Sequence, residues 1–197
     1  MYDFANATQK GMEDDSMSKV FVFIAEGFEE IEALSVVDFL RRAEIEVSMV
    51  SVTDKINVTG AHGISVNTDM TFDEIKDEAD ILVLPGGMPG TINLKNHEGL
   101  KNLLLKYNSE GRRIAAICAA PTVLGFYGIL NGHKAVCYPG MEEGLNTDFA
   151  GDYKVVTDGN ITTSKGPGTA VWFALELIEL LKGKEVREKI RKSLVLD

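Results

Sequence analysis

The segment that most constrains the fold is RIAAICAAPT, residues 113–122. Its apolar and small residues from Ile114 onward predict a strand that is buried on both faces. Cys118 follows at once, and the alanines, proline and threonine after it are typical of the first turn of a helix. Cys118 is therefore predicted to lie on a sharp strand-to-helix turn. Because free cysteines are often only core residues, the segment alone leaves open whether Cys118 is a nucleophile.

Composition excludes several classes of partner. The chain has 197 residues, a formal net charge of −10 and 45% hydrophobic residues, which predict one globular domain with a sizeable core. An acidic chain is a poor partner for nucleic acid or an anionic membrane surface. No apolar run is long enough to predict a membrane span.

The cysteines and histidines predict no metal site. The two cysteines, Cys118 and Cys137, form no CxxC motif, and no zinc-type spacing joins them to His62, His97 or His133. No secretory signal is visible, so we expect the reducing cytosol. Residues 1–16 are polar and lack periodicity, which predicts a disordered leader or tag before a single domain over residues 17–197.

Strands and helices are predicted to alternate along the chain. They include a short helix at residues 71–76, a strand at residues 134–138 and a helix from Ala170 that Gly183 ends. Such an order favours an α/β protein in which helices cover both faces of a mostly parallel sheet, close to the flavodoxin-like plan. Ligands then bind beyond the carboxyl ends of the strands. Three segments are expected to meet at that edge: the acidic turn at residues 29–32, the glycine-rich loop at residues 85–90, and Cys118.

Five segments, in this order, resemble the ThiJ/PfpI superfamily, and within it the deglycase and glyoxalase branch of Parkinson disease protein seven. The resemblance covers essentially all of residues 17–197, and the segments are specific jointly rather than singly. They are GFEEIE (27–32), VDFLRRA (37–43), VLPGG (83–87), AAICAAP (115–121) and TSKGPGT (163–169).

The resemblance implies a role for each matching site residue. Cys118 is similar to the family's reactive nucleophile, and Glu32 to the acid that hydrogen-bonds its sulfur in the protonated form and can shuttle a proton. Gly86, Gly87 and the N–H of Ala119 are similar to the donors that stabilise an anion. A helix N-terminus beside the sulfur predicts a lowered thiol pKa, and two acids that cannot both ionise leave the proton on Glu32.

Two positions depart from the pattern. Ala119 stands where protease-like members carry a histidine, and Tyr138 stands before Pro139 where some deglycase-branch members have another. No Cys–His pair can therefore be assigned, His133 is a weak substitute, and proteolysis is disfavoured. Tyr138 is left as a possible pocket residue.

The resemblance also implies a homodimer. His62 falls where relatives carry a polar residue that reaches the partner's site, which makes it a second possible pocket residue. Arg41 and Arg42 fall in the expected interface region, although a solvated helix end explains them equally well.

Three functions stay open on the sequence. The first is a glyoxalase- or deglycase-like enzyme without cofactor or metal, whose substrate is a small carbonyl compound, a 2-oxoaldehyde. The second is a redox-sensing or stress-protective homodimer in which Cys118 oxidises to a sulfinate. The third is another cofactor-free hydrolase or hydratase.

Overall fold

A computed structural model describes residues 18–196 of the chain. The predicted leader over residues 1–16 lies outside this range. Within it, no helix is both long enough and apolar enough to cross a membrane.

Seven strands form the central sheet, in the order β10-β11-β7-β6-β1-β2-β5. All neighbours pair in parallel except β10 and β11, which are antiparallel. A hairpin of β3 and β4 and a small parallel pair of β8 and β9 stand apart. The strands are β1 (Lys19–Ile24), β2 (Glu46–Ser51), β3 (Asn57–Thr59), β4 (Ser65–Asn67), β5 (Met70–Thr71), β6 (Ile81–Leu84), β7 (Arg113–Ile117), β8 (Lys134–Ala135), β9 (Asp148–Phe149), β10 (Val155–Asp158) and β11 (Ile161–Ser164).

Helices cover both faces of this sheet and complete three layers. On one face lie α1 and α5, and on the other lie α2, α3 and α4. Their bounds are α1 (Glu30–Arg42), α2 (Gly90–Asn96), α3 (Glu98–Ser109), α4 (Pro121–Phe126) and α5 (Ala170–Ser193). The predicted flavodoxin-like α/β fold is confirmed.

Alternate residues of the central strands face opposite layers. In β1, Val20 and Val22 pack towards α1 and α5, whereas Phe21 and Phe23 pack towards α3. A strand buried on both faces needs an apolar residue at nearly every position, which explains why the parallel strands read as continuous apolar runs. The carboxyl ends of β1, β6, β7 and β11 therefore form one firmly packed edge.

Two predicted elements differ from the structure, and one helix was not predicted. The sequence does not reveal α2, because its helix begins at Gly90 inside a segment that is rich in glycine and proline. The predicted strand over residues 134–138 is only two residues long and pairs with β9 outside the main sheet. A predicted short helix at residues 71–76 is a 3-10 turn, Phe72–Glu74. The predicted helix break at Gly183 is confirmed, since its φ of 82° and ψ of 169° interrupt α5.

Candidate active site

Cys118 lies on a sharp turn between β7 and α4. Its φ is 66°, a conformation that residues other than glycine adopt rarely and at a cost. Two backbone hydrogen bonds hold the turn: the N–H of Cys118 donates to Ser164 O at 2.9 Å, and its carbonyl accepts from the N–H of Tyr138 at 2.8 Å. The predicted turn geometry is confirmed, and the side chain retains 8% exposure.

Glu32 lies in the first turn of α1 and is fully buried. Its Oε2 accepts a hydrogen bond of 2.8 Å from the N–H of Gly86. Its Oε1 is sealed from solvent and has no partner of good hydrogen-bond geometry among residues 18–196, although the thiol of Cys118 is close enough to interact with the carboxyl group. The Glu29 carboxylate caps the same turn by accepting from the N–H of Glu32 at 2.7 Å.

The two acids affect each other's ionisation. Burial raises the pKa of Glu32 to about 7, against smaller lowering effects of hydrogen bonds with Cys118 and Gly86. Burial also raises the pKa of the Cys118 thiol, and the charge and hydrogen bonding of Glu32 raise it further. The N–H groups of Ala119 and Gly87 act in the opposite direction. With Glu32 charged, the expected lowered thiol pKa is therefore wrong, because burial of the thiol and then the Glu32 carboxylate outweigh the N–H groups of Ala119 and Gly87.

Gly86 packs closely against both Glu32 and Cys118. A Cβ at this position would lie 2.7 Å from Cys118 Cβ and 2.8 Å from Glu32 Oε2, so no side chain fits. Because the N–H of Gly86 already donates to Glu32, it is not free to stabilise an anion on a substrate. Of the three predicted donors, Gly87 and Ala119 direct their N–H groups at the sulfur.

Tyr138 forms the exposed rim beside the sulfur. Its side chain is 47% exposed. A Cβ added at Gly166, in the loop after β11, would lie 3.3 Å from Tyr138 Cδ2 and 3.9 Å from Cys118 Sγ. The aromatic ring, Gly166 and the thiol therefore converge on one small space.

The remaining candidates lie elsewhere. His62, in the β3–β4 hairpin, pairs its Nδ1 with Glu30 Oε2 at 2.8 Å rather than contacting Cys118. Arg41 binds Asp69 and Arg42 binds Asp38. His133 contacts the carbonyl of Asp158, and Cys137 is buried in the opposite core layer.

One group of side chains in the described range has the chemistry to hold a cation. Ligand atoms of Glu29, Glu30 and His62 all lie within 4.8 Å of one another. Both carboxylates already accept hydrogen bonds, Glu29 from the N–H of Glu32 and Glu30 from the N–H of His62. The group therefore serves at least to fasten the hairpin to α1.

Sequence reasoning missed two contributors to the site. Ser164 and Gly166 lie in a matching segment, but only the fold reveals that Ser164 O anchors the Cys118 turn and that Gly166 opens space beside Sγ. The glycine-rich loop that follows β11 was the sequence feature that could have indicated these two residues.

Comparisons with known proteins agree with this architecture. Residues 18–180 match the model of the DJ-1/PfpI family. Protein DJ-1 homolog A of Arabidopsis thaliana is 41% identical over 181 residues, which cover 90% of this chain and 46% of that protein. The chain thus spans about half the length of this relative.

Two further relatives match over nearly their whole length. A deglycase of Pyrococcus abyssi is 35% identical over 169 residues, covering 83% of this chain and 99% of that protein. The solved structure of oxidized Toxoplasma gondii DJ-1 shares 40% identity and a TM-score of 0.88, covering 91% of this chain and 98% of that one. This chain belongs to the DJ-1/PfpI family.

Proposed function

We propose that the chain is a cysteine-dependent enzyme that converts reactive 2-oxoaldehydes to 2-hydroxy acids without a cofactor. The observation that carries the proposal is the convergence of a fully buried Glu32, Gly86 and a strained Cys118 at one sheet edge. A deglycase among the relatives supports the substrate class.

The reactive form holds one proton on Glu32 and a negative charge on Cys118. The sealed Oε1 of Glu32 has no donor of good geometry in the described range, so a proton there can point at the sulfur. The sulfur, by contrast, receives the N–H groups of Ala119 and Gly87. When Glu32 is neutral, its charge and its acceptance of a hydrogen bond from the thiol no longer raise the pKa of Cys118.

The reaction balances with water as the only co-reactant. The thiolate attacks the aldehyde carbon, a C–S bond forms, and the carbonyl oxygen takes the proton of Glu32 to give a hemithioacetal. The Glu32 carboxylate then removes the proton from that carbon, while the hydroxyl proton on the same carbon passes to the neighbouring carbonyl oxygen. Glu32 delivers the first proton to the neighbouring carbon, which is reduced to CH–OH as the first carbon is oxidised to a thioester. Hydrolysis breaks the C–S bond and releases the 2-hydroxy acid.

Lactate formation from methylglyoxal tests this function. We expect turnover by the wild type and a loss of at least about 100-fold in Cys118→Ser and in Glu32→Gln, as for removal of a nucleophile or general acid–base. Equal background rates in all three proteins, each verified as folded by circular dichroism, would reject the proposal.

A second candidate function is peroxide sensing through Cys118. One solved relative is titled as oxidized, and the N–H groups of Ala119 and Gly87 suit a sulfinate anion at this position. Two peroxide molecules would each transfer one oxygen atom to the sulfur and leave as water or hydroxide. Mass spectrometry after mild peroxide treatment should find two added oxygens on Cys118 first. Preferential oxidation of Cys137 would defeat this function.

We also infer a homodimer in the cytosol. Two large apolar side chains, Ile31 on α1 and Ile64 on the hairpin, are 56% and 54% exposed beside the Glu30–His62 pair. Two free thiols fit a reducing compartment. Sedimentation velocity should give about twice the chain mass of 21.5 kDa, and a monomer at micromolar concentration would contradict the dimer.

A further inference from the structure

A backbone hydrogen bond places Tyr138 beside Cys118. The N–H of Tyr138 donates to the carbonyl of Cys118 at 2.8 Å, so the two residues stay in register whatever the side chain does. The preceding residue, Cys137, is 1% exposed, whereas Tyr138 is 47% exposed. The chain therefore turns an aromatic surface outward at the point where a substrate enters.

The space between this ring and the sulfur is open because residue 166 is a glycine. An atom at the position of a Gly166 Cβ would be 3.3 Å from the Tyr138 ring and 3.9 Å from Cys118 Sγ, close to van der Waals contact with both. The φ of Gly166 is 162°, an extended conformation that any residue adopts. The backbone conformation therefore does not require glycine at this position. What the glycine does provide is the open space beside the sulfur.

The space beside Cys118 Cβ is closed. Gly86 packs against Cys118 Cβ and the Glu32 carboxyl group so tightly that not even one methyl group fits. The large substituent of a carbon bonded to Sγ therefore has the space lined by Gly166 and Tyr138 open to it. A flat apolar substituent would lie on the ring, whereas a methyl group is too small to cover it.

We propose that Tyr138 makes the site selective for 2-oxoaldehydes that carry an aromatic or similarly flat apolar substituent, in preference to methylglyoxal. This selectivity rests on the proposed function for its reaction, but its geometric basis is the contact of Tyr138, Gly166 and Cys118. Aromatic contacts of this kind change affinities by about three- to tenfold.

Steady-state kinetics with phenylglyoxal and methylglyoxal test the selectivity. The ratio of their kcat/KM values should fall about three- to tenfold in Tyr138→Leu and stay near the wild-type ratio in Tyr138→Phe, which keeps the ring. Tyr153→Leu is the matched control, because Tyr153 is 69% exposed and lines a different groove. An unchanged ratio in Tyr138→Leu would overturn the proposal.

A chemical measurement separates this inference from the proposed function. Phenacyl bromide and bromoacetone both alkylate a thiol, forming a C–S bond as bromide leaves and the thiol proton passes to Glu32 or water. The ratio of their rate constants at Cys118, read by mass spectrometry and normalised to a small free thiol, needs no turnover. The normalised ratio should exceed one in the wild type and fall in Tyr138→Leu.

Turnover and the two rate ratios together distinguish failure of the proposed function from failure of the aromatic selectivity. If the wild type makes no 2-hydroxy acid but the alkylation ratio depends on Tyr138, the proposed function fails and the aromatic selectivity stands. If turnover occurs but the ratio of kcat/KM values does not respond to Tyr138→Leu, the selectivity fails. Gly166→Ala, whose Cβ would occupy the contact space, should lower the phenacyl rate more than the bromoacetone rate, and equal effects on both reagents would also count against the proposal.

Discussion

Glu32→Gln should lower kcat/KM for 2-oxoaldehydes by at least about 100-fold near neutral pH and remove an ionisation near pH 7 from the pH profile. In the wild type, kcat/KM should rise as pH increases through about 7, where the buried Glu32–Cys118 pair releases its first proton, because the proposed reactive form carries one negative charge on the pair. Glutamine retains an acceptor for the N–H of Gly86 but cannot carry a proton between carbons.

The pH dependence of the free energy of unfolding distinguishes a loss of catalysis in Glu32→Gln from a loss of folding. Because the folded pKa of Glu32 is raised above its ordinary value of 4.5 to about 7, the wild type loses stability as pH rises through that window. Glu32→Gln lacks this loss, so its free energy of unfolding should depend less on pH between 4.5 and 7. Glu30→Gln is the matched control. It changes an adjacent buried carboxylate that binds His62, and it should leave the neutral-pH ionisation in place. A Glu32→Gln profile that keeps the wild-type midpoint would contradict the assigned role.

Gly86→Ala should abolish most activity and destabilise the fold together. The new methyl group would lie 2.7 Å from Cys118 Cβ, 2.8 Å from Glu32 Oε2 and 3.1 Å from Ala119 N, and all three neighbours are buried. Overpacking of this kind costs about 1–3 kcal/mol, which lowers the Tm of a chain of this size by roughly 3–10 °C. Displacing either acid by a fraction of an ångström also breaks their coupling.

Gly168→Ala controls for the general effect of adding a methyl group near the site. Gly168 lies two residues from Gly166, has no heavy atom within 4 Å of an added Cβ, and is exposed. Differential scanning calorimetry and the lactate assay should find this variant close to wild type. If Gly86→Ala were as active and stable as Gly168→Ala, the close packing of Glu32 against Cys118 would be wrong.

Most of the fold could be predicted because each parallel strand is recognisable from its own run of apolar residues. The apolar runs of β1, β6 and β7 each mark a strand buried on two faces, and the Pro121 signal places a helix after Cys118. The order of strands then brings the loops at Glu32, Gly86 and Cys118 to one edge. These predictions needed only local pattern and the rules of α/β topology.

The remainder depends on contacts between distant segments. Nothing local reveals that the N–H of Gly86 is consumed by Glu32, or that the charge of Glu32 opposes ionisation of the thiol. The pairing of His62 with Glu30 depends on the packing of the hairpin against α1, which sequence spacing does not reveal. Helix α2 was missed because tertiary contacts overcome the weak helix propensity of the segment that begins at Gly90.

Measuring the protonation state of Cys118 tests most directly whether this residue is the nucleophile. The rate of iodoacetamide alkylation at Cys118, followed against pH by mass spectrometry with Cys137 as the internal reference, reports the fraction of thiolate. We expect a midpoint below the ordinary thiol value of 9.0, because a neutral Glu32 no longer opposes the thiolate, whereas the N–H groups of Ala119 and Gly87 stabilise it. A midpoint above the ordinary thiol value of 9.0 would mean that Glu32 holds the charge and Cys118 the proton, which contradicts the proposed nucleophile.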